Sequence, residues 1–278
     1  MYLRTAGLIL GMLLGSGAAN QAFASFIVTE GEGANAAAIT AVRDAFRAAV
    51  GGGTVAGANG DFGGLRKEIN WDGVPDASAD PFLLAPDFFN TTSPRGAVFS
   101  TPGSGGFLVS ANSGQSASPL FGFPSDFVAF SPQRLFTALN SNIIDVLFFI
   151  PGTSQHATTS AFGLVFVDVE VAGSTKLDFY DSNNNLIFSR DALVAGNQGF
   201  SFLGAVANSG ERIARVRITS GTNTIAQNAV LGDPNSDVVV MDDMLFAAPL
   251  AAVPEPGSMV LFGFGLAALG LVRKSVRR

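Results

Sequence analysis

Phe162-Gly163-Leu164-Val165-Phe166-Val167-Asp168-Val169-Glu170-Val171 is the stretch whose reading decides the fold. Val165, Val167, Val169 and Val171 fall on every second position, so they share one face of a strand, with Asp168 and Glu170 on the other. Downstream, residues 175–180 place Leu177 and Phe179 on one face and Lys176 and Asp178 on the other. The polar run Asp181-Ser182-Asn183-Asn184-Asn185 then makes a hairpin loop, because Asn and Asp tolerate left-handed backbone, and residues 186–189 return. Further strands are expected at 200–206, at 213–219 with Arg215 and Arg217 on one face, and at 238–246. Upstream they are expected at 68–72, 97–100, 107–110, 127–130, 135–139 and 144–150, with Pro132 and Pro151 as stops. Short strands separated by turn chemistry every 8–12 residues predict a mainly β, antiparallel sandwich.

One helix precedes the strands. Asn35 is a good N-cap, and Ile39, Val42, Phe46 and Ala49 form one apolar stripe up to about Val50, where Gly51-Gly52-Gly53 ends it. The glycine-rich segment 51–64 lacks a Gly-Lys-Ser/Thr and a preceding strand, so it reads as a linker rather than a phosphate loop.

The two ends are addresses. Arg4, an apolar run at 6–14 and the A-x-A signature Ala22-Phe23-Ala24 make residues 1–24 a signal peptide cleaved before Ser25. At the other end stand Pro254-Glu255-Pro256, an apolar run at 259–272, and a basic end containing Arg273, Lys274, Arg277 and Arg278. The apolar segment is shorter than the roughly 20 residues that cross a bilayer core comfortably, and the prolines deny it an upstream extension. Basic side chains after it would stay cytoplasmic, which leaves Glu255 near the outer face. The expected layout is therefore 25–64 helix and linker, 65–248 sandwich, and 249–278 tail with a C-terminal hydrophobic helix.

This tail resembles the PEP-CTERM sorting tail of bacteria. The resemblance implies export, a transient inner-membrane anchor, and processing near Pro254-Glu255-Pro256 by a membrane protease of the exosortase type. It also implies delivery to the cell surface or an extracellular, exopolysaccharide-rich matrix. The strand order across about 68–248 resembles galactose-binding-like jelly rolls, on the stretch 162–171, the Leu177-Asp178-Phe179-Tyr180-Asp181 hairpin and the closing Val239-Val240-Met241-Asp242-Asp243-Met244. In those jelly rolls a structural calcium lies where an early strand meets the last one. The resemblance carries that site onto Asp72 and Asp242, with Asp243 as a further candidate, and makes a carbohydrate ligand the alternative function.

Composition narrows the chemistry. The chain has no cysteine, which excludes a disulfide framework, thiolate metal sites and cysteine catalysis. Of its 16 Lys and Arg, five lie in the two removable ends, against 22 Asp and Glu that all remain. The mature balance is strongly acidic and argues against nucleic acid as a partner. Twenty-five Phe beside two Tyr and one Trp mark the aromatics, Trp71 included, as core filling.

The only histidine, His156, lies in a loop near Ser154, Thr158 and Thr159 with no Gly-x-Ser-x-Gly elbow, so it reads as a solvated loop residue. Asp168 with Glu170 would share a strand face at a spacing compatible with paired-carboxylate chemistry. Asp242 and Asp243, consecutive in an apolar strand, should point to opposite faces, so at least one needs an ion or backbone donors to answer it. The reading is an exported, noncatalytic surface or matrix protein, with a glycan-active hydrolase or lyase as the enzymatic alternative.

Overall fold

A computed structural model describes residues 25–111, 127–225 and 236–251. Ala22 and Ala24 of the signal, and Pro254, Glu255, Pro256, Arg273, Lys274, Arg277 and Arg278 with the hydrophobic run between them, lie outside the described residues. In chain order the elements are β1 (Phe26–Gly33), α1 (Ala36–Val50), β2 (Asp61–Phe62), β3 (Arg66–Ile69), α2 (Phe88–Thr91), β4 (Ala97–Ser100), β5 (Phe107–Val109), β6 (Phe136–Ala138) and β7 (Ile143–Phe148). They continue as β8 (Ala157–Thr158), β9 (Ala161–Val167), β10 (Lys176–Tyr180), β11 (Leu186–Asp191), β12 (Phe200–Ala207), β13 (Arg215–Thr219), β14 (Val240–Ala247) and β15 (Leu250–Ala251).

The strands pair antiparallel in two main sheets. The larger runs β1-β12-β9-β14-β3-β2, with β6 beside β14 and β5 beside β6; the smaller runs β11-β10-β13-β7-β4. A short pair, β8 with β15, fixes the chain at Leu250 and Ala251. Between the main sheets, Ile144, Val146, Leu177, Phe179, Val216 and Ile218 meet Phe162, Leu164, Phe166, Leu203, Met244 and Phe246 in one core.

The larger sheet is covered on its outer face as well. Ile39 and Phe46 of α1 pack there on Val165, Val167, Phe202 and Leu245. Phe46 enters a slot made by two paired glycines, Gly163 and Gly204, where added Cβ atoms would come within 3.0 Å and 2.7 Å of its ring. Every residue of β9 is consequently buried. Covered on both faces, such a strand reads as continuous apolar sequence rather than as an alternation.

Several expectations need correction. The strand of the opening stretch ends at Val167: Asp168 takes a left-handed φ of 76°, and Glu170 is exposed. Asp168 and Glu170 therefore do not form a same-face carboxylate pair. Residues 127–130 are not a strand but a covering segment whose Phe127 and Phe130 cap the outer core.

A strand not expected from the sequence, β1, precedes the helix and pairs along its whole length with β12. The helix itself follows its expectation: Asn35 caps it, its side chain accepting Ala38 N–H at 3.2 Å, although Ala49 of the proposed stripe faces solvent. The glycine-rich segment is ordered around Arg66, whose guanidinium donates to the carbonyls of Gly51, Gly53 and Arg47 at the helix C-terminus. The carbonyls of Gly51 and Gly53 face a cation there, which is the opposite of the N–H lining of a phosphate cradle.

Candidate functional site

The two consecutive acids of β14 sit on a bulge. Met241 pairs with Phe166 and Met244 with Leu164, so three steps on β14 span two on β9 and one residue is extra. The bulge brings both carboxylates to the same hydroxyl instead of opposite faces. Ser131 Oγ lies 2.9 Å from Asp242 Oδ1 and 2.9 Å from Asp243 Oδ1.

A hydroxyl carries one hydrogen, so it can donate to one of these oxygens only. The second contact is a hydrogen bond when that carboxyl holds a proton and donates back. Burial favours Asp242 for that proton. Asp242 is fully buried, and that burial, with the Asp243 charge beside it, pushes its pKa well above the ordinary range. Burial raises Asp243 too, although Arg43 Nη1 donates to its Oδ2 at 3.1 Å and Arg47 stands 3.9 Å away, and both charges act to lower it.

The remaining carboxylate oxygens are answered by the backbone of the covering loop. Asp242 Oδ2 accepts from Phe130 N at 2.6 Å and Ser131 N at 3.1 Å. Asp72 Oδ1 accepts from Gln133 N at 2.5 Å and Arg134 N at 3.1 Å, and its Oδ2 accepts from Asn70 Nδ2 at 3.0 Å. Burial, with Asp243 as a further contributor, raises the Asp72 pKa. The structure thus brings Asp72, Asp242 and Asp243 to one loop, as the jelly-roll resemblance implies, but surrounds them with donors. Calcium takes six to eight oxygen ligands, and N–H groups and a guanidinium on the same oxygens do not fit it. Among the described residues, no group of three or more His, Cys, Asp or Glu side chains is arranged to hold a metal ion.

Trp71 belongs to this framework. Its indole donates to Asp242 O at 2.9 Å and its ring stacks on Phe136 at 4.0 Å, leaving it 1% exposed. It is core, not a sugar platform. His156 is exposed, with its ring 4.6 Å from Phe149, while the nearby Thr158 and Thr159 hydroxyls are bonded to Arg212 and to Ala247 O. Neither threonine hydroxyl is thereby offered to the imidazole.

A different residue lines a cavity. Arg95 borders a pocket of about 310 Å³ together with Asn59, Asn70, Phe88, Phe89 and Ser93. Its Nε donates to Glu68 O at 2.8 Å, Nη1 reaches the Ser93 hydroxyl, and the guanidinium lies 5.0 Å from the Phe89 ring centroid. Burial lowers its pKa to about 10. Among the described basic residues, nine form an ion pair with a carboxylate; Arg95 and Arg212 do not. Sequence reading passed over Arg95, since an arginine between Pro94 and Gly96 looks like any loop residue. Its lack of a counter-ion is a property of the fold.

Comparison with known proteins bears on the other end of the chain. Residues 252–274 match the PEP-CTERM protein-sorting motif. The PEP-CTERM motif implies an exported protein processed by an exosortase, a membrane protease, on its way to the cell surface. It begins directly after β15, so the sorting signal follows the folded body without a long spacer. No curated protein matches the chain. A solved structure, the K2 cleaved adhesin domain of Lys-gingipain, aligns over 54% of this chain and 87% of that one, at 10% identity and a TM-score of 0.32. That likeness is too low to bear on function. Among the described residues no helix is long and apolar enough to cross a membrane.

Proposed function

We propose that this chain is an exported, noncatalytic protein of the cell surface or extracellular matrix, carried on a jelly-roll-like sandwich and released from a membrane-anchored form by cleavage in its tail. The observation that carries the reading is the sorting motif at 252–274, directly behind a folded body. Support for a noncatalytic body comes from the carboxylates themselves. Asp72, Asp242 and Asp243 are each engaged by loop N–H groups, a serine hydroxyl or an arginine, and their work is to fasten residues 130–134 to the sheet. Glu255→Ala, or deletion of 273–278, is expected to leave the protein in the membrane fraction with an intact C-terminus. Unchanged release with an unchanged C-terminal mass would overturn processing at this tail.

The Arg95 pocket favours a second reading, in which the body binds an acidic glycan of the surrounding matrix. A half-buried guanidinium with no carboxylate partner, flanked by Asn and Ser side chains, suits a sugar carboxylate. A glycan array on the exported protein should then show uronate-containing polymers bound equally in calcium and in chelator, and lost in Arg95→Gln. Binding of neutral glycans alone, or binding indifferent to Arg95, would refute it.

A further inference from the structure

Glu211 holds the first residue of the body. Ser25 N donates to Glu211 Oε1 at 2.6 Å, and the other carboxylate oxygen accepts from Ser209 N at 2.8 Å. Ser25 O in turn accepts from Asn208 N at 2.9 Å, so both backbone ends of this residue are tied to the turn after β12. The next residue, Phe26, opens β1 opposite Ala207 and packs its ring on Phe179 and Phe188 of the smaller sheet, at 5.7 Å and 5.2 Å. The turn that carries Glu211 contains Gly210 at φ 88°, which folds the carboxylate back toward the strand end.

The nitrogen that Glu211 contacts is the one on which the A-x-A signature converges. We propose that Glu211 is the receptor for the α-ammonium group that signal-peptide removal creates at Ser25, so that maturation locks the edge strand β1 into place. The inference rests on the reading of Ala22-Phe23-Ala24 as a cleavage signal, and a different observation, the position of a carboxylate 186 residues away, meets it. Water adds across the Ala24–Ser25 amide, leaving a carboxylate on Ala24 and an amine on Ser25 that takes a proton at neutral pH. One amide N–H on Glu211 thereby becomes a charged group with three donors, and a neutral-donor contact becomes an ion pair.

The electrostatics around the site are simple. Burial works against the charged form of Glu211, and the backbone N–H groups of Ser25, Ser209, Glu211 and Asn208 outweigh it and lower its pKa. Arg212, the adjacent cation, is turned to the hydroxyl and carbonyl of Thr158. The other charged contact of β1, Glu30 with Arg190, lies further along the strand.

An α-ammonium here should titrate above the about 7.7–8.0 of a free amino terminus. Its stabilisation is present below that range and is lost as pH rises through the raised folded value. Glu211, with a lowered pKa, contributes above the ordinary glutamate range and loses its contribution as pH falls.

The test uses exported protein recovered from cells, wild type and Glu211→Gln, together with wild type acylated selectively at its α-amine. Amine labelling followed by mass spectrometry across pH gives the α-amine pKa, and melting across the same range gives the stability. The wild-type α-amine should titrate upward of a free amine. Blocking it should lower the melting temperature at pH 7 but not at pH 10, and Glu211→Gln should return its titration to the free value. An N-terminal mass beginning at a residue other than Ser25 would refute the cleavage reading itself. A Ser25 terminus that titrates as a free amine, or a block that leaves melting unchanged, would overturn the Glu211 inference while leaving that reading intact. The acylated form keeps Glu211 in place, so the inference stays testable if Glu211→Gln fails to fold.

Discussion

The larger and smaller sheets bury their inner faces in the same core, yet their outer faces have opposite fates. On the larger sheet, α1 and the covering loop 127–135 seal the outer surface, and β9 and β14 are buried at every position. On the smaller sheet the outer face carries Lys176 paired with Asp178, and Tyr180, Arg215, Arg217 and Asp145 bound to one another at the solvent boundary. The same strand geometry therefore spends its second face on packing in one sheet and on ion pairs in the other. Packing scales with the apolar area removed from water, whereas surface ion pairs are screened and worth little. Substitutions on the two outer faces should differ by several kcal/mol.

The sharpest way to break this contrast is at the helix. Phe46 is fully buried in the Gly163–Gly204 slot and packs on Phe202 at 5.5 Å. Phe46→Ala should destabilise the body by about 3–5 kcal/mol in chemical denaturation. Gly204→Ala, which places a Cβ 2.7 Å from that ring, should cost about 1–3 kcal/mol by overpacking. Were both variants to unfold like wild type, α1 would be an ornament on the sheet rather than its second cover.

The acidic pair sharpens the comparison within the larger sheet. Asp243→Asn removes the charge facing Arg43 at a mostly buried site and should cost about 2–3 kcal/mol, below the range for a fully buried pair because Asp44 also reaches Arg43. Asp242→Asn retains the shape of a neutral acid: its carbonyl can accept the Phe130 and Ser131 N–H groups and its amide can donate to Ser131 Oγ. It should cost less than about 1 kcal/mol.

The pH dependence has a definite sign. A carboxyl with a raised folded pKa contributes stability below its unfolded value, and that contribution is lost as pH rises toward the folded one. Measured from pH 4 to pH 8, Asp242→Asn should therefore gain on wild type as pH rises. A constant difference across that range would remove the proton from Asp242.

How much of this was legible follows from where each signal is stored. The helix could be read because its cap is local: Asn35 bonds a group three residues away. The strand at Ala97–Ser100 falls where its alternation and flanking turns put it. Failures came where the deciding partner is remote. Phe127 to Phe130 has the apolar content of a strand, but the N–H of Phe130 goes to Asp242 Oδ2, 112 positions away. The strand β1 carries Glu30, Glu32 and two glycines among its residues, a pattern that gives no alternation, and it exists because β12 offers a free edge.

At the candidate site, two consecutive acids in an apolar strand correctly signalled buried carboxylates. The bulge that turns both to Ser131 left no mark in the sequence beyond that pair. Asp237 went unremarked, though it is fully buried and accepts from Glu170 N and Val171 N, fixing the turn where the opening stretch stops being a strand.

A small effect is expected on the open face too. Asp145 lies beside Arg217 on the neighbouring strand, Arg217 Nη2 donating to its Oδ2 and Arg215 Nη1 to its Oδ1, both at 2.8 Å. Burial raises the Asp145 pKa, but hydrogen bonds and charge from Arg217 and Arg215 outweigh it, so the folded value is lowered. Its contribution is therefore present above the unfolded aspartate value of about 3.9 and lost as pH falls through the folded one. Solvent discounts it, since the Arg217 side chain is 39% exposed. Asp145→Asn should cost about 1 kcal/mol or less at pH 7 and low salt, and less in high salt, where exposed pairs are screened. At acid pH, with the wild-type carboxyl protonated, the two proteins should converge. A loss of several kcal/mol that persists in high salt would mean that the outer face of the smaller sheet is as structural as that of the larger, and the contrast between the sheets would fail.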